Sequence, residues 1–401
     1  MVNLTRRRGV SKQLALCFTA LCLLFATFAK CPSPIWAQTA TEDRLLFRGW
    51  WPRHSTPDAD EYIGPAQCAK CHPGKAAAQK NTPMARTADL VADSDILTEQ
   101  RPLTFQAGEV HYQIAMAHGK SLYTVADGAR SISAPLTWFF GDGHIGQSYL
   151  FEREGNFYES RVSYFGPLGT LDFTPGRKLS DPPDLEQAMA RPVSGVELVR
   201  CFACHTTGTT IGDKFDRSRI IPGITCEACH GPGLKHVFAQ TVAYVQGQVR
   251  ESQPETGLIF DPGKLSPVDA VDFCGACHGT WWDVKLAPPA GIANVRAQPY
   301  RLEKSRCWGK NGDSRLTCVA CHDPHQELVR DSASYDKNCL SCHAVAAASA
   351  KPALDHRGPP CKVGTTQCTS CHMPKYEVAE FHYKFTDHDI RVVRPGTPYP
   401  E

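Results

Sequence analysis

The chain has 401 residues, 43 Lys and Arg against 41 Asp and Glu, a formal net charge of +2, and 42% hydrophobic content. So balanced a composition excludes a disordered polyelectrolyte and lacks the basic excess of a nucleic-acid binder. Thirty prolines and 31 glycines point to short helices and long ordered loops in place of a large regular sheet.

The first residues have the pattern of an export signal. Arg6, Arg7, Arg8 and Lys12 form a basic start, and Leu14 to Ala29 is a sixteen-residue apolar run. That run falls short of the roughly twenty residues a bilayer-spanning helix needs, so cleavage after Ala37 and a mature chain without a membrane span are expected. Removing residues 1–37 leaves 38 basic against 41 acidic residues, a formal charge of −3. The expected compartment is the periplasm.

The mature chain opens, at residues 38–100, with the string Cys68-Ala69-Lys70-Cys71-His72. Six more copies of Cys-x-x-Cys-His follow: Cys201/Cys204/His205, Cys226/Cys229/His230, Cys274/Cys277/His278, Cys318/Cys321/His322, Cys339/Cys342/His343 and Cys368/Cys371/His372. Two thiols three positions apart lie about one helical turn apart and can add to the two vinyl groups of one porphyrin, while the adjacent imidazole ligates its iron. The chemistry places no constraint on the two intervening residues. Zinc would use the same residue types, but seven copies with an invariant His do not pair naturally into zinc ribbons. A disulfide scaffold would have to separate neighbouring partners to make long-range bridges. The expectation is seven covalently bound haem c groups with seven proximal histidines. Their propionates would make the holoprotein clearly acidic, and nucleic acid is not an expected partner.

After the first motif, Lys75 to Val91 has Ala-rich helical composition, interrupted at Pro83. Residues 101–176 read as a small antiparallel β insert. Val110 to Ile114 and Ser121 to Val125 alternate around His118-Gly119-Lys120, and Ser148 to Glu152 and Phe157 to Tyr164 flank a tight reversal at Arg153 to Asn156.

Residues 177–401 carry the other six motifs, all between 201 and 372. At roughly fifty residues per haem, the porphyrins themselves must form much of this region's core. Short connections, Cys204 to Cys226 and Cys321 to Cys339, predict stacked neighbours. Two cysteines are left over, Cys307 and Cys361, and in an oxidising compartment a disulfide between them is the simplest expectation. The stretch from Pro395 reads as a loose tail. The fold class is therefore α+β: a loop-rich chain of short helices packed around haems, with a small antiparallel insert after the first haem site.

Seven irons present fourteen axial positions, of which the motif histidines fill seven. Nine further histidines (His54, His111, His118, His144, His236, His325, His356, His382 and His388) and the thioether of Met84 are available for the rest. Supply exceeds demand, which favours closed haems and electron transfer.

Several strings around the motifs are similar to the multihaem cytochromes c related to the tetrahaem electron carrier of ammonia oxidation. They are Tyr62 to Gln67, Ile224 to Gly233, Cys321-His322-Asp323-Pro324-His325, Cys371-His372-Met373-Pro374-Lys375, Phe385-Thr386-Asp387-His388, and Gly141 to His144 with Ser148 to Leu150 in the insert. The resemblance implies distal ligation by His236, His325, His144 and His388, with His382, His356 and Met84 as further ligands. His54, His111 and His118 are expected to be non-ligands. It also implies a carrier that exchanges electrons with other redox proteins, a membrane quinol-oxidising complex being one candidate. The alternative is a multihaem oxidoreductase acting on nitrite, hydroxylamine or a sulfur oxyanion at one open haem. No Cys-x-x-Cys-Lys variant of the kind nitrite reductases use occurs here.

Overall fold

A computed structural model describes residues 61–99, 101–178, 182–211, 214–246, 258–286, 291–308, 315–343, 361, 363–394 and 396–400. The export segment, His54 and His356 lie outside these residues. Among the described residues no helix is long and apolar enough to cross a membrane.

Two short helices, α1 (Pro65–Ala69) and α2 (Pro73–Lys80), carry the first motif. Each has proline in its first turn, where the missing N–H has no intrahelical partner to lose. The expected helix to Val91 stops at Lys80, before Pro83. The chain then enters strand β1 (Ala88–Leu90) and, beyond it, helix α3 (Asp95–Glu99).

The β region is larger than the small insert read from sequence. Ten strands form one antiparallel sheet, in the order β10 (Ala190–Pro192), β7 (Asn156–Ser160), β6 (Gly146–Arg153), β5 (Ser131–Phe140), β4 (Lys120–Ala126), β3 (Val110–Ala117) and β2 (Leu103–Ala107). β1 adds to β5, while β8 (Val162–Phe165) pairs with β6 and β9 (Thr170–Phe173) with β8. The expected strand to Tyr164 is broken at Arg161, and its second half pairs with Gly146 and Gln147 at the start of β6, two residues out of the β7 register. The Thr170 hydroxyl donates to Thr104 O at 3.0 Å, so β9 comes back to β2 and the sheet curls round on itself.

Both hairpin turns use paired left-handed residues, His118-Gly119 (φ 51° and 73°) and Glu154-Gly155 (φ 54° and 78°), which match the twist of the flanking strands. Alternation then puts Tyr112, Ile114, Tyr123, Val125, Tyr149, Phe151, Val162 and Leu171 inside. Helix α4 (Leu185–Met189) covers this core, and the Tyr123 hydroxyl donates to Met189 O at 3.0 Å.

The helices of the second half are short, and five of them end on motif histidines. Helix α5 (Gly195–His205) starts from a capping box between Ser194 and Glu197, and α6 (Cys226–His230) ends at Gly231 with φ 75°. Helix α7 (Leu234–Val245) follows, then α8 (Pro267–His278) on a Ser266 cap, α9 (Trp281–Leu286) and α10 (Gln298–Glu303). The last two motifs close α11 (Asp336–His343) and α12 (Cys368–His372), and a hairpin of β11 (Lys375–Val378) and β12 (Tyr383–Thr386) completes the described fold.

The C-terminal stretch is docked, contrary to the loose tail expected from Pro395. Arg301 is fully buried and its guanidinium donates to both oxygens of the equally buried Asp387, at 2.8 and 2.9 Å. It also donates to Asp389 at 3.3 Å and to Pro400 O at 2.9 Å, and lies 4.7 Å from the Tyr399 ring centre. The Tyr399 hydroxyl pairs with Asn294 and its ring packs edge-on against Tyr376. Burial by itself would raise the Asp387 carboxyl, but its hydrogen bonds with Arg301, the Asp389 N–H and the adjacent charges outweigh that and hold it below the usual carboxylate range.

Candidate haem sites

Termination of five helices on motif histidines puts each Cys-x-x-Cys pair one turn apart, with the imidazole leaving the helix end. Several of these imidazoles have one nitrogen already committed. His230 Nδ1 lies 2.8 Å from Phe260 O and His372 Nδ1 2.9 Å from Arg391 O. A carbonyl only accepts, so Nδ1 carries the proton in both rings and Nε2 is left with a free lone pair for a metal. His205 Nδ1 meets the Thr87 hydroxyl at 2.6 Å and Thr87 O at 3.3 Å, and His322 Nδ1 lies 3.5 Å from the Tyr335 hydroxyl.

Two non-motif histidines share this arrangement. His388 Nδ1 lies 3.1 Å from Thr386 O, and His325 Nδ1 lies 3.1 Å from the Asp323 carboxylate. Burial pushes the imidazoles of His205 and His388 down to about 4, with nearby histidines lowering them further against their backbone hydrogen bonds. Both are neutral at pH 7, the form that ligates iron.

The rings also come in pairs. His230 and His325 are nearly parallel (14°) with centres 6.0 Å apart, and His322 and His388 have centres 6.3 Å apart at 43°. Two metal–nitrogen bonds of about 2 Å, plus roughly 1.1 Å from each nitrogen to its ring centre, span about 6 Å. These separations match those of two imidazoles that would hold one iron between them. Burial, and after it the charge of His72, lowers the pKa of His236.

The first motif is fixed to the third by a residue whose position appeared unconstrained in the sequence. Glu227, one of the two intervening residues of the third motif, is buried at 2% exposure. Its carboxylate accepts from the backbone N–H of Ile63 at 3.0 Å, Gly64 at 2.8 Å and Gly233 at 2.8 Å. No spacing or composition signal marks it, because its partners lie up to 164 positions away.

Thiols of different motifs are neighbours. Cys68 is within hydrogen-bonding reach of Cys226, Cys204 of Cys277, Cys274 of Cys318 and Cys339 of Cys368. Charge interactions link Cys229 with Cys274 and Cys339 with Cys321. Chain proximity pointed Cys204 towards Cys226, but it faces the fourth motif. Burial pushes the Cys201 thiol up to about 11 and the Cys229 thiol to about 12.

Residues 182–231, which hold the second and third motifs, match the family described as cytochrome c554 and c-prime. Multiheme cytochrome MtrA of Shewanella baltica (strain OS185) is 25% identical over 205 residues, covering 47% of this chain and 47% of that protein. The chain thus spans about half the length of this curated relative. The crystal structure of outer cell wall cytochrome OcwA superposes on 83% of this chain and 80% of its own, at 16% identity and a TM-score of 0.45, too distant to carry an argument.

Across the family and MtrA matches the chain is similar to multihaem cytochromes c.

The remaining sequence-predicted residues are scattered. His144 is exposed, 5.9 Å from the Tyr383 ring, with its N–H donating to Asp142. His382 has φ 50° and its Nε2 lies 2.9 Å from Asp172, so ligation through that nitrogen would require it to leave the carboxylate. Met84 O accepts the Ile224 N–H at 2.9 Å, which sets the Met84 turn against the approach to the third motif. His111 bonds Gln106 and His118 sits in a hairpin turn.

The expected Cys307–Cys361 bridge is not formed. Cys361 is an exposed thiol that accepts its own Val363 N–H at 3.5 Å. Half-buried Cys307 is influenced electrostatically by Cys342 and Asp389, on the side of the motif thiols. Among the described residues no three His, Cys, Asp or Glu side chains converge on a metal-ion site.

Proposed function

We propose that this chain is a periplasmic heptahaem electron carrier, holding haem c at all seven Cys-x-x-Cys-His motifs and exchanging electrons with other redox proteins. The haem irons supply one-electron oxidation and reduction. The observation that carries the reading is the pairing of His230 with His325 and of His322 with His388, at separations of 6.0 and 6.3 Å. Two imidazoles close both faces of an iron, which leaves no position for substrate. His236 is linked to His72 by a charge interaction. Export is supported by the basic and apolar N-terminal sequence, together with a cofactor that is attached outside the cytoplasm.

Low-temperature electron paramagnetic resonance of the oxidised protein is expected to show low-spin haems alone. His388→Ala is expected to convert one of them to high spin, with the haem number unchanged by mass spectrometry. A high-spin signal in the unaltered protein that changes on adding nitrite would replace the carrier with an oxidoreductase.

The thiol neighbours support an order of haems that differs from chain order. Cys68 with Cys226, Cys229 with Cys274, Cys274 with Cys318, Cys321 with Cys339, and Cys339 with Cys368 join motifs one, three, four, five, six and seven in a row. Cys204 with Cys277 hangs the second motif on the fourth. Removing the fourth haem by Cys274→Ser with Cys277→Ser is therefore expected to split the row. In stopped-flow reduction the reducible haems should then fall into two groups with rates more than tenfold apart. Cys201→Ser with Cys204→Ser should remove one haem and leave the others reducing together; splitting by the second pair and not the first would refute this order.

A further inference from the structure

The β sheet carries no Cys-x-x-Cys-His motif, yet one of its edges ends against the imidazole of the second. Thr87 immediately precedes β1, whose Ala88 pairs with Phe140 of β5. Its carbonyl accepts the Gly141 N–H at 2.7 Å, which leaves the longer 3.3 Å contact from that carbonyl to His205 Nδ1 as a shared one. The hydroxyl, 2.6 Å from the same nitrogen, is the closer partner. Phe140 meets the His205 ring edge-on, with centres 5.4 Å apart at 87°. Beneath it, Trp138 and Phe140 of β5 both pack at 5.2 Å against Phe202, on the helix that carries Cys201 and Cys204. The ring plane of His205 is thus set by the sheet, and its Nδ1 by Thr87.

We propose that Thr87 is a positioning residue for the second haem: its hydroxyl accepts the His205 Nδ1 proton, aims Nε2 at the iron and sets that haem's reduction potential. The inference rests on the haem reading above. An imidazole that donates through Nδ1 is a stronger donor at Nε2, which favours the ferric state and lowers the potential. The sites at His230 and His372 use backbone carbonyls for this purpose, which substitution does not remove. At the second site the partner is a side chain from the sheet. The sheet thereby acts on electron flow through a branch that meets the row at the fourth motif.

The test is a spectroelectrochemical titration of Thr87→Val and Thr87→Ser beside the unaltered protein, with haem at the Cys201/Cys204 peptide confirmed by mass spectrometry. Thr87→Val is expected to raise one component, up to a tenfold change in its oxidised-to-reduced ratio at fixed potential, or about 59 mV for one electron. Thr87→Ser keeps the hydroxyl and is expected to restore the original value. If Val does not accumulate, Thr87→Ala removes the hydroxyl without adding bulk and is expected to give the same rise. Unmoved components with that haem in place, or a serine variant that moves as far as valine, would overturn the role of Thr87. Absence of haem from that peptide in the unaltered protein would instead overturn the haem reading itself.

Discussion

Arg301→Met is expected to remove about 3–5 kcal/mol of unfolding free energy, the range for breaking a buried ion pair by deleting one partner. Asp387 is fully buried and Asp389 nearly so, and Arg301 is the residue that reaches both of them and Pro400 O. Arg391 keeps contact with Asp387 at 2.6 Å, which places the loss within that range and not above it. The effect should reach the haem site. His388 lies between the two carboxylates, and Ser305, four residues from Arg301, holds His388 O at 3.0 Å and the Ile390 N–H at 2.8 Å. Thermal unfolding followed by circular dichroism should therefore start earlier, together with loss of one low-spin signal. Replacing Arg301 and Asp387 together by apolar residues should lose less than the single change, because the Asp387 carboxylate is then no longer left without Arg301, while Asp389 keeps Arg391. A variant that melts with the parent would show that the pair contributes nothing net.

Glu227→Ala is expected to be of similar size. Each hydrogen bond from a backbone N–H to a charged acceptor contributes about 1.5–3 kcal/mol, and three are lost together, so a loss on the order of 5 kcal/mol, the low end of their sum, follows. Two of the donors, Ile63 and Gly64, belong to the approach to the first motif, so the loss is local. Amide hydrogen exchange should accelerate in residues 61–72 well before the β region. Glu227→Gln retains an acceptor oxygen and should lose about half as much. Uniform acceleration across the protein would show that Glu227 does not bind the first motif in particular.

The motifs and the two hairpins were readable because both depend on local spacing: three positions between thiols, and alternation around a left-handed turn. Glu227, Thr87 and Arg301 were not readable. Their partners lie 164, 118 and 86 positions away, and nothing near each residue signals the contact. The size of the sheet escaped for the same reason, since three-residue strands such as β1 and β10 exist only through the long-range partners they find. The tail read as loose because its composition is Pro- and Gly-rich, while its docking depends on one buried arginine. The distal candidates divide physically. His325 and His388 have Nδ1 anchored and a ring opposite, whereas His382 has Nε2 bound to Asp172.

The crossing thiols impose an order on how the molecule must be made. Once the polypeptide has collapsed, Cys204 faces Cys277 and Cys274 faces Cys318, partners from different strings that an oxidant outside the cell interior could couple. Burial meanwhile keeps Cys201 and Cys229 protonated, the poorly nucleophilic form. A chain that folded first would be both miswired and unreactive. On the haem reading proposed above, porphyrin attachment would run ahead of folding, on an extended chain.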